Sequence, residues 1–113
     1  MTCLFCRIVS GDIPATKVFE NDRLVAFNDI NPAAPFHVLV VPREHIATLN
    51  ALEPHHDALV GEMTRVAAAL AGSAGYADRG YRAVFNCNGD AGQTVFHIHL
   101  HVLAGRGLAW PPG

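Results

Sequence analysis

Charge is what this chain has least of. Only 16% of its 113 residues are Asp, Glu, Lys or Arg, and the formal net charge is −2. No basic field is available to hold a nucleic-acid backbone, so any phosphate-bearing ligand must be gripped by local donors. No apolar run reaches the length of a membrane span, and Met1-Thr2-Cys3 opens without a basic n-region and an apolar h-region. A soluble, cytoplasmic protein with neither membrane nor nucleic acid as partner is expected. Three cysteines cannot pair off into a closed disulfide set. Two of them stand as Cys3-Leu4-Phe5-Cys6, a spacing that in a reducing compartment points to metal or redox chemistry. Internal repeats, linkers and low-complexity segments are missing too. What remains is apolar: half of the residues are hydrophobic, enough to bury one core in a single domain over residues 1–113.

The punctuation of the chain divides it into short pieces. Phe5 to Val9 reads as a helical turn ended by Ser10-Gly11. Lys17–Glu20 and Arg23–Phe27 read as two strands joined by Asn21-Asp22. Phe36–Val41 is almost continuously apolar, as a central strand covered on both faces should be. A turn of helix over His45–Leu49 precedes a longer helix with Pro54 in its first turn. There Leu59, Val60, Met63, Val66, Ala67 and Leu70 recur at helical spacing, and Gly72 or Gly75 supplies the stop. Tyr81–Asn86 and Val95–Leu103 are the fourth and fifth strands. Hairpin pairs around one main helix, without βαβ alternation, predict an α+β domain: a five-stranded antiparallel meander with one long and one or two short helices. Cys87 reads as packing, and His55 and His56 as solvated.

The fifth strand holds the unusual pattern. His97-Ile98-His99-Leu100-His101-Val102 alternates imidazoles with aliphatics, which at the strand period puts three rings on one face. One buried histidine is ordinarily a core residue with a satisfied hydrogen bond. Three in strict alternation beside a Gly-rich turn are not. Two of them, about 7 Å apart along a strand, suit a shared zinc with a ligand from elsewhere. The other reading is nucleophilic: a neutral ring nitrogen attacks, while an acceptor holds the proton on the second nitrogen. Before the strand, Gly92, Gln93 and the Thr94 hydroxyl offer backbone and side-chain donors for an anion, which suits phosphorus better than acyl chemistry.

Gly92-Gln93-Thr94-Val95-Phe96-His97-Ile98-His99-Leu100-His101-Val102 resembles the signature of the histidine triad superfamily. Asp12-Ile13-Pro14-Ala15, Phe27-Asn28-Asp29-Ile30-Asn31-Pro32, Ala34-Pro35-Phe36-His37, Val40-Val41-Pro42-Arg43-Glu44-His45 and Trp110-Pro111-Pro112-Gly113 extend the likeness over the whole chain, toward the branch that hydrolyses nucleoside phosphoramidates. The resemblance implies a homodimer that joins two sheets, with Trp110 near the partner subunit, and a purine nucleotide substrate. It implies His99 as nucleophile, His101 beside the phosphate, His37 completing a relay, and Thr94 at the phosphate or leaving group. Asn86, Gly92 and Gln93 fall on the phosphate side. Asp29 would bind the ribose hydroxyls, and Phe5, Ile13, Phe27, Asn28 and Ile30 would line the purine pocket. No cofactor is implied for catalysis. A structural zinc is, held by Cys3, Cys6, His45 and His97; the plain alternative is that the two cysteines are small buried hydrophobes. The chain departs from some relatives at Asn28, where a histidine can stand, and at Ala109 beside the tail tryptophan. Gly-Gln-Thr-Val before the triad also resembles dinucleoside polyphosphate hydrolases, and a nucleotide-binding or interaction module is a third reading.

Overall fold

The computed structural model describes residues 3–113. Its elements are α1 (Leu4–Ser10), β1 (Lys17–Glu20), β2 (Leu24–Asn28), β3 (Phe36–Pro42), α2 (Asp57–Ser73), β4 (Tyr81–Val84) and β5 (Leu100–Ala104), with single 3₁₀ turns at Leu49–Ala51 and Pro54–His56. All strand pairings are antiparallel, in the order β1-β2-β3-β5-β4. The expected plain meander is therefore corrected. The chain leaves β3, crosses through α2 and lands at the far edge as β4, and β5 then returns between β4 and β3. Among the described residues no helix is long and apolar enough to cross a membrane.

Local chemistry explains most of the boundaries. Asn21 closes the β1–β2 turn, its side-chain oxygen accepting from the Arg23 and Leu24 amides at 2.9 and 2.8 Å. α2 buries Leu59, Met63, Val66, Ala67 and Ala71 along one stripe and ends at Ser73, with Gly75 just beyond it at a φ of +92°. Pro54 opens a separate 3₁₀ turn, not the helix itself. The helical turn expected over His45–Leu49 forms further on, at Leu49–Ala51, where the Thr48 side chain caps it.

The sheet has two differently covered faces. Leu24, Ala26, Val38, Val40, Leu100 and Val102 pack with Met63 and its neighbours under α2. Val25, Phe27, Leu39 and Val41 pack on the other face against Phe5 and Ile8 of α1. α1 is only seven residues long, so it covers part of that face and leaves the rest open. His37 and His101 project there, on β3 and β5, with Leu39 paired to His101 in the register between them. The apolar run expected to be covered on both faces is so covered: six of the seven residues of β3 are buried.

The fifth strand is shorter than the alternation predicts. Pairing begins at Leu100, and Val95 to His99 lie outside the ladder. The cause is visible in their backbone bonds. The His97 carbonyl accepts from the His99 ring at 2.8 Å, and the Ile98 amide donates to the Ile46 carbonyl at 2.7 Å, so neither is free for a strand. β4 likewise stops at Val84, two residues short of Asn86.

Candidate active site and candidate metal centre

Although the ladder stops, the rings stay in line. The His99 and His101 ring centroids are 5.0 Å apart, and Phe5 of α1 stands edge-on to His99 at 4.9 Å and to His97 at 6.1 Å. Each histidine is locked to a partner of fixed polarity, and this sets its protonation pattern.

A carbonyl can only accept, so His99 donates from Nδ1 to the His97 carbonyl and leaves Nε2 as a bare lone pair. His37 Nδ1 accepts the Ala33 amide at 3.0 Å, which puts its proton on Nε2. From there it donates to His101 Nδ1 at 2.9 Å. His101 must then carry its own proton on Nε2. The pair thus presents one lone pair and one N–H donor, on His99 and His101, side by side. Burial pushes the pKa of His99 and of His37 below the ordinary imidazole value, against the opposing pull of Asp29. His101 falls to about 4, through burial first and then repulsion from His99 and His37. The triad is neutral at neutral pH, as an attacking nitrogen requires.

Those two rings line a cavity of about 380 Å³. Of the positions named from sequence, Phe5, Ile13, Phe27, Asn28, Asp29, Ile30, Asn86, Gly92 and Thr94 line it as well. Its inner wall is apolar, with Ile8 and Leu39 added to Phe5 and Phe27. Its rim is polar, and Ile30 stands over it 89% exposed. Asp29 accepts the Asn31 amide through Oδ1 at 2.8 Å, and its Oδ2 lies 3.4 Å from His37 Nε2. One carboxylate therefore belongs both to the cavity wall and to the edge of the histidine relay.

Two named residues stay outside the cavity. His37 reaches it only through its hydrogen bond to His101. Gln93 is buried, and its amide is fully occupied: Oε1 accepts from the Asn88 amide, and Nε2 donates to the Ala47 and Val95 carbonyls. Its side chain is thus a brace for the loop. The anion donors expected at Gly92 and Gln93 are also spent internally, on the Gly89 and Asn88 carbonyls at 3.0 and 3.1 Å. Gly92 sits at a φ of +83°, which turns the chain so that Thr94 and Val95 reach the cavity. Among the described residues the Thr94 and Val95 amides show no internal hydrogen bond, and both residues line the cavity.

The remaining histidine of the run faces elsewhere. His97 Nε2 donates to the Pro42 carbonyl at 2.7 Å, which leaves Nδ1 bare. That atom lies 3.4 Å from Cys3 Sγ, 3.5 Å from Cys6 Sγ and 3.3 Å from His45 Nδ1. His45 Nδ1 is in turn 3.3 Å from Cys6 Sγ. All four donors lie within 4.8 Å of one another. A tetrahedron built on Zn–N and Zn–S bonds of about 2.0 and 2.3 Å has edges of about 3.3 to 3.8 Å, and the quartet fits it. Cys3 also caps α1, its Sγ accepting the Cys6 amide at 3.3 Å. Burial and the neighbouring Cys3 push the Cys6 thiol up, and a bound cation would offset both.

His56, expected to be solvated, is buried. Its Nδ1 accepts the Glu53 amide and its Nε2 donates to Glu44, both at 3.0 Å, so it braces the entry to α2. His55 is exposed as expected. Sequence reasoning overlooks the backbone groups that set the tautomers, the Ala33 amide and the Pro42 carbonyl. Only the prolines beside them hint at fixed backbone there.

Residues 2–107 match the family model described as scavenger mRNA decapping enzyme C-term binding. A histidine triad protein from Clostridium difficile superposes with a TM-score of 0.93 at 44% identity, covering 96% of this chain and 95% of that one. The chain belongs to the histidine triad family. A hydrolase of the same family from Legionella pneumophila Philadelphia 1 is 49% identical with a TM-score of 0.98, over 99% of this chain and 100% of that one. The purine nucleoside phosphoramidase of Escherichia coli K12 is 42% identical over 105 residues, 93% of this chain and 88% of the relative. This triad protein is a hydrolase.

Proposed function

We propose that this protein hydrolyses purine nucleoside 5′-phosphoramidates through a nucleotidyl intermediate on His99. The reading rests on one observation above the others: the His97 carbonyl leaves His99 Nε2 as a bare lone pair facing the cavity. The similarity to the Escherichia coli phosphoramidase supports it.

The base lies against Phe5, Ile13 and Phe27 under Ile30, and the ribose hydroxyls donate to Asp29. His99 Nε2 attacks phosphorus, a new P–N bond forms, and the bond to the amine breaks. The amine keeps the electron pair and takes a proton from solvent, passed on by the Thr94 hydroxyl on the rim, which regains its own from water. His101 Nε2–H and the Thr94 and Val95 amides bind the phosphate oxygens, whose charge grows in the transition state. Water then attacks the nucleotidyl-histidine, returns a proton to solvent and frees His99 as neutral imidazole.

A structural zinc held by Cys3, Cys6, His45 and His97 completes the fold, pinning α1 to the loop after β3. It takes no part in the chemistry. The protein is a homodimer. Its tail is held by Arg82 through the Leu108 and Ala109 carbonyls at 3.3 and 3.0 Å. Trp110, 82% exposed, packs on the partner, so sedimentation at twice the chain mass is expected.

The direct test is kinetic. Adenosine 5′-phosphoramidate is expected to be cleaved in preference to a diadenosine polyphosphate, with AMP and ammonia as products. The reverse preference would place the protein among dinucleoside polyphosphate hydrolases, and no turnover of either would leave a binding module.

A further inference from the structure

A second cavity, of about 510 Å³, lies beside the first and is lined by Cys3, Leu4, His45, Thr94, Val95 and Phe96. Leu4, Thr94 and Val95 line both, whereas His99 and His101 line the first alone. The two spaces therefore meet across the segment that carries the free amides. In an in-line displacement the leaving group departs on the side of phosphorus opposite the nucleophile. With the nucleotide in the first cavity, a bond that breaks away from His99 on the Thr94 and Val95 side opens into the second, since those residues wall both.

The walls say what fits there. Leu4 and Phe96 are 43% and 49% exposed, although both are large and apolar. Neither belongs to the two clusters that make the core, so packing does not account for them. Cys3 and His45 direct their donor atoms into the quartet. No Asp, Glu, Lys or Arg lines the space, and a charged substituent finds no partner.

We propose that this cavity is the leaving-group subsite, and that it selects amines bearing an apolar alkyl or aromatic substituent. The proposal rests on the phosphoramidate reading. It adds no new step: the P–N bond breaks as described, and the substituent passes through unchanged, held by Phe96 and Leu4.

The test compares kcat/KM for adenosine 5′-phosphoramidate and its N-benzyl and N-(4-aminobutyl) derivatives, on the native protein, Phe96→Ala and Phe96→Asp. Each protein breaks the same bonds, so the ratio between proteins cancels the intrinsic reactivity of each amine. The benzyl-to-unsubstituted ratio should fall about tenfold in Phe96→Ala, in the range for losing part of an apolar pocket. In Phe96→Asp the aminobutyl compound should gain on the benzyl one. Unchanged ratios in both variants would overturn the subsite. Should the native protein cleave none of the compounds, the phosphoramidate reading fails by itself. Binding to His99→Asn, with and without Phe96→Ala, then judges the subsite. A benzyl advantage lost with Phe96 supports it, and no benzyl advantage overturns it. Melting temperatures confirm that each variant is folded.

Discussion

His97 and His99 are two residues apart and both buried, with Phe5 edge-on to each, yet they hold opposite tautomers. His97 gives its Nε2 proton to the Pro42 carbonyl and keeps Nδ1 bare, toward two sulfurs and a second imidazole. His99 gives its Nδ1 proton to the His97 carbonyl and keeps Nε2 bare, toward the cavity. Burial lowers the pKa of both. Residue type, burial and charge state are shared, so what separates the proposed metal ligand from the proposed nucleophile is which carbonyl lies within reach. The comparison predicts that damage at the two ends will be felt in different quantities.

The largest effect belongs to the catalytic end. His99→Asn should lower kcat by about 10⁴-fold or more, while the melting temperature and the affinity for AMP stay near native values. Turnover of a phosphoramidate at an unchanged rate would remove the nucleophile from His99.

At the metal end the proportions should invert. Elemental analysis of protein purified without a histidine tag should find about one zinc per chain, as a closed four-ligand site requires. Chelation, or Cys3→Ser, should lower the melting temperature by about 10 °C or more, since metal binding free energy is folding free energy. Activity of the surviving folded fraction should fall far less than in His99→Asn. A chelated protein that melts where the untreated one does would show that the quartet holds no metal.

The smallest effect is on pH dependence, and it sharpens the distinction between the buried rings and ordinary ones. His101 titrates near 4, against about 6.5 for an unperturbed imidazole. Its folded pKa is depressed, so between those values the unfolded chain binds the proton and the native protein does not. Stability is therefore fully present above about pH 6.5 and is lost as pH falls toward 4. The acid limb of kcat/KM should likewise lie below the ordinary imidazole value, because burial lowers His99 as well. NMR titration of the histidine ring protons would check both. A His101 that titrates near 6.5 would contradict its burial beside two other imidazoles.

Much of this architecture is legible in the amino-acid sequence. The apolar run of β3 and the periodic stripe of α2 each follow from side-chain chemistry and lie where the spacing predicts, whereas the histidine alternation meets the ladder only from Leu100 onward. The cavity also gathers nearly all the positions named by family resemblance. What escapes a reading of side chains is carried by the backbone. The true start of β5 depends on a carbonyl diverted to the His99 ring. That the Gly92 and Gln93 amides are spent depends on the Gly89 and Asn88 carbonyls of their own turn. The order of β4 and β5 depends on where α2 releases the chain, which no local pattern encodes. Gln93 and His56 mislead for the same reason: a polar side chain reads as a ligand contact or as solvated until its backbone partners are known.

The lengths of the three tautomer locks differ in a way that bears on how the protein tolerates mutation. The bond that sets His101 joins residues 64 positions apart, and the one that sets His97 spans 55. Both are hostage to the register of β3. The bond that sets the nucleophile spans only two positions. His99 therefore carries its own setting within one short segment. Substitutions or insertions elsewhere can erode the donor on His101 or the bare Nδ1 of His97 and still leave the His99 lone pair in place. Loss of function by drift should begin with the accessories and reach the nucleophile last.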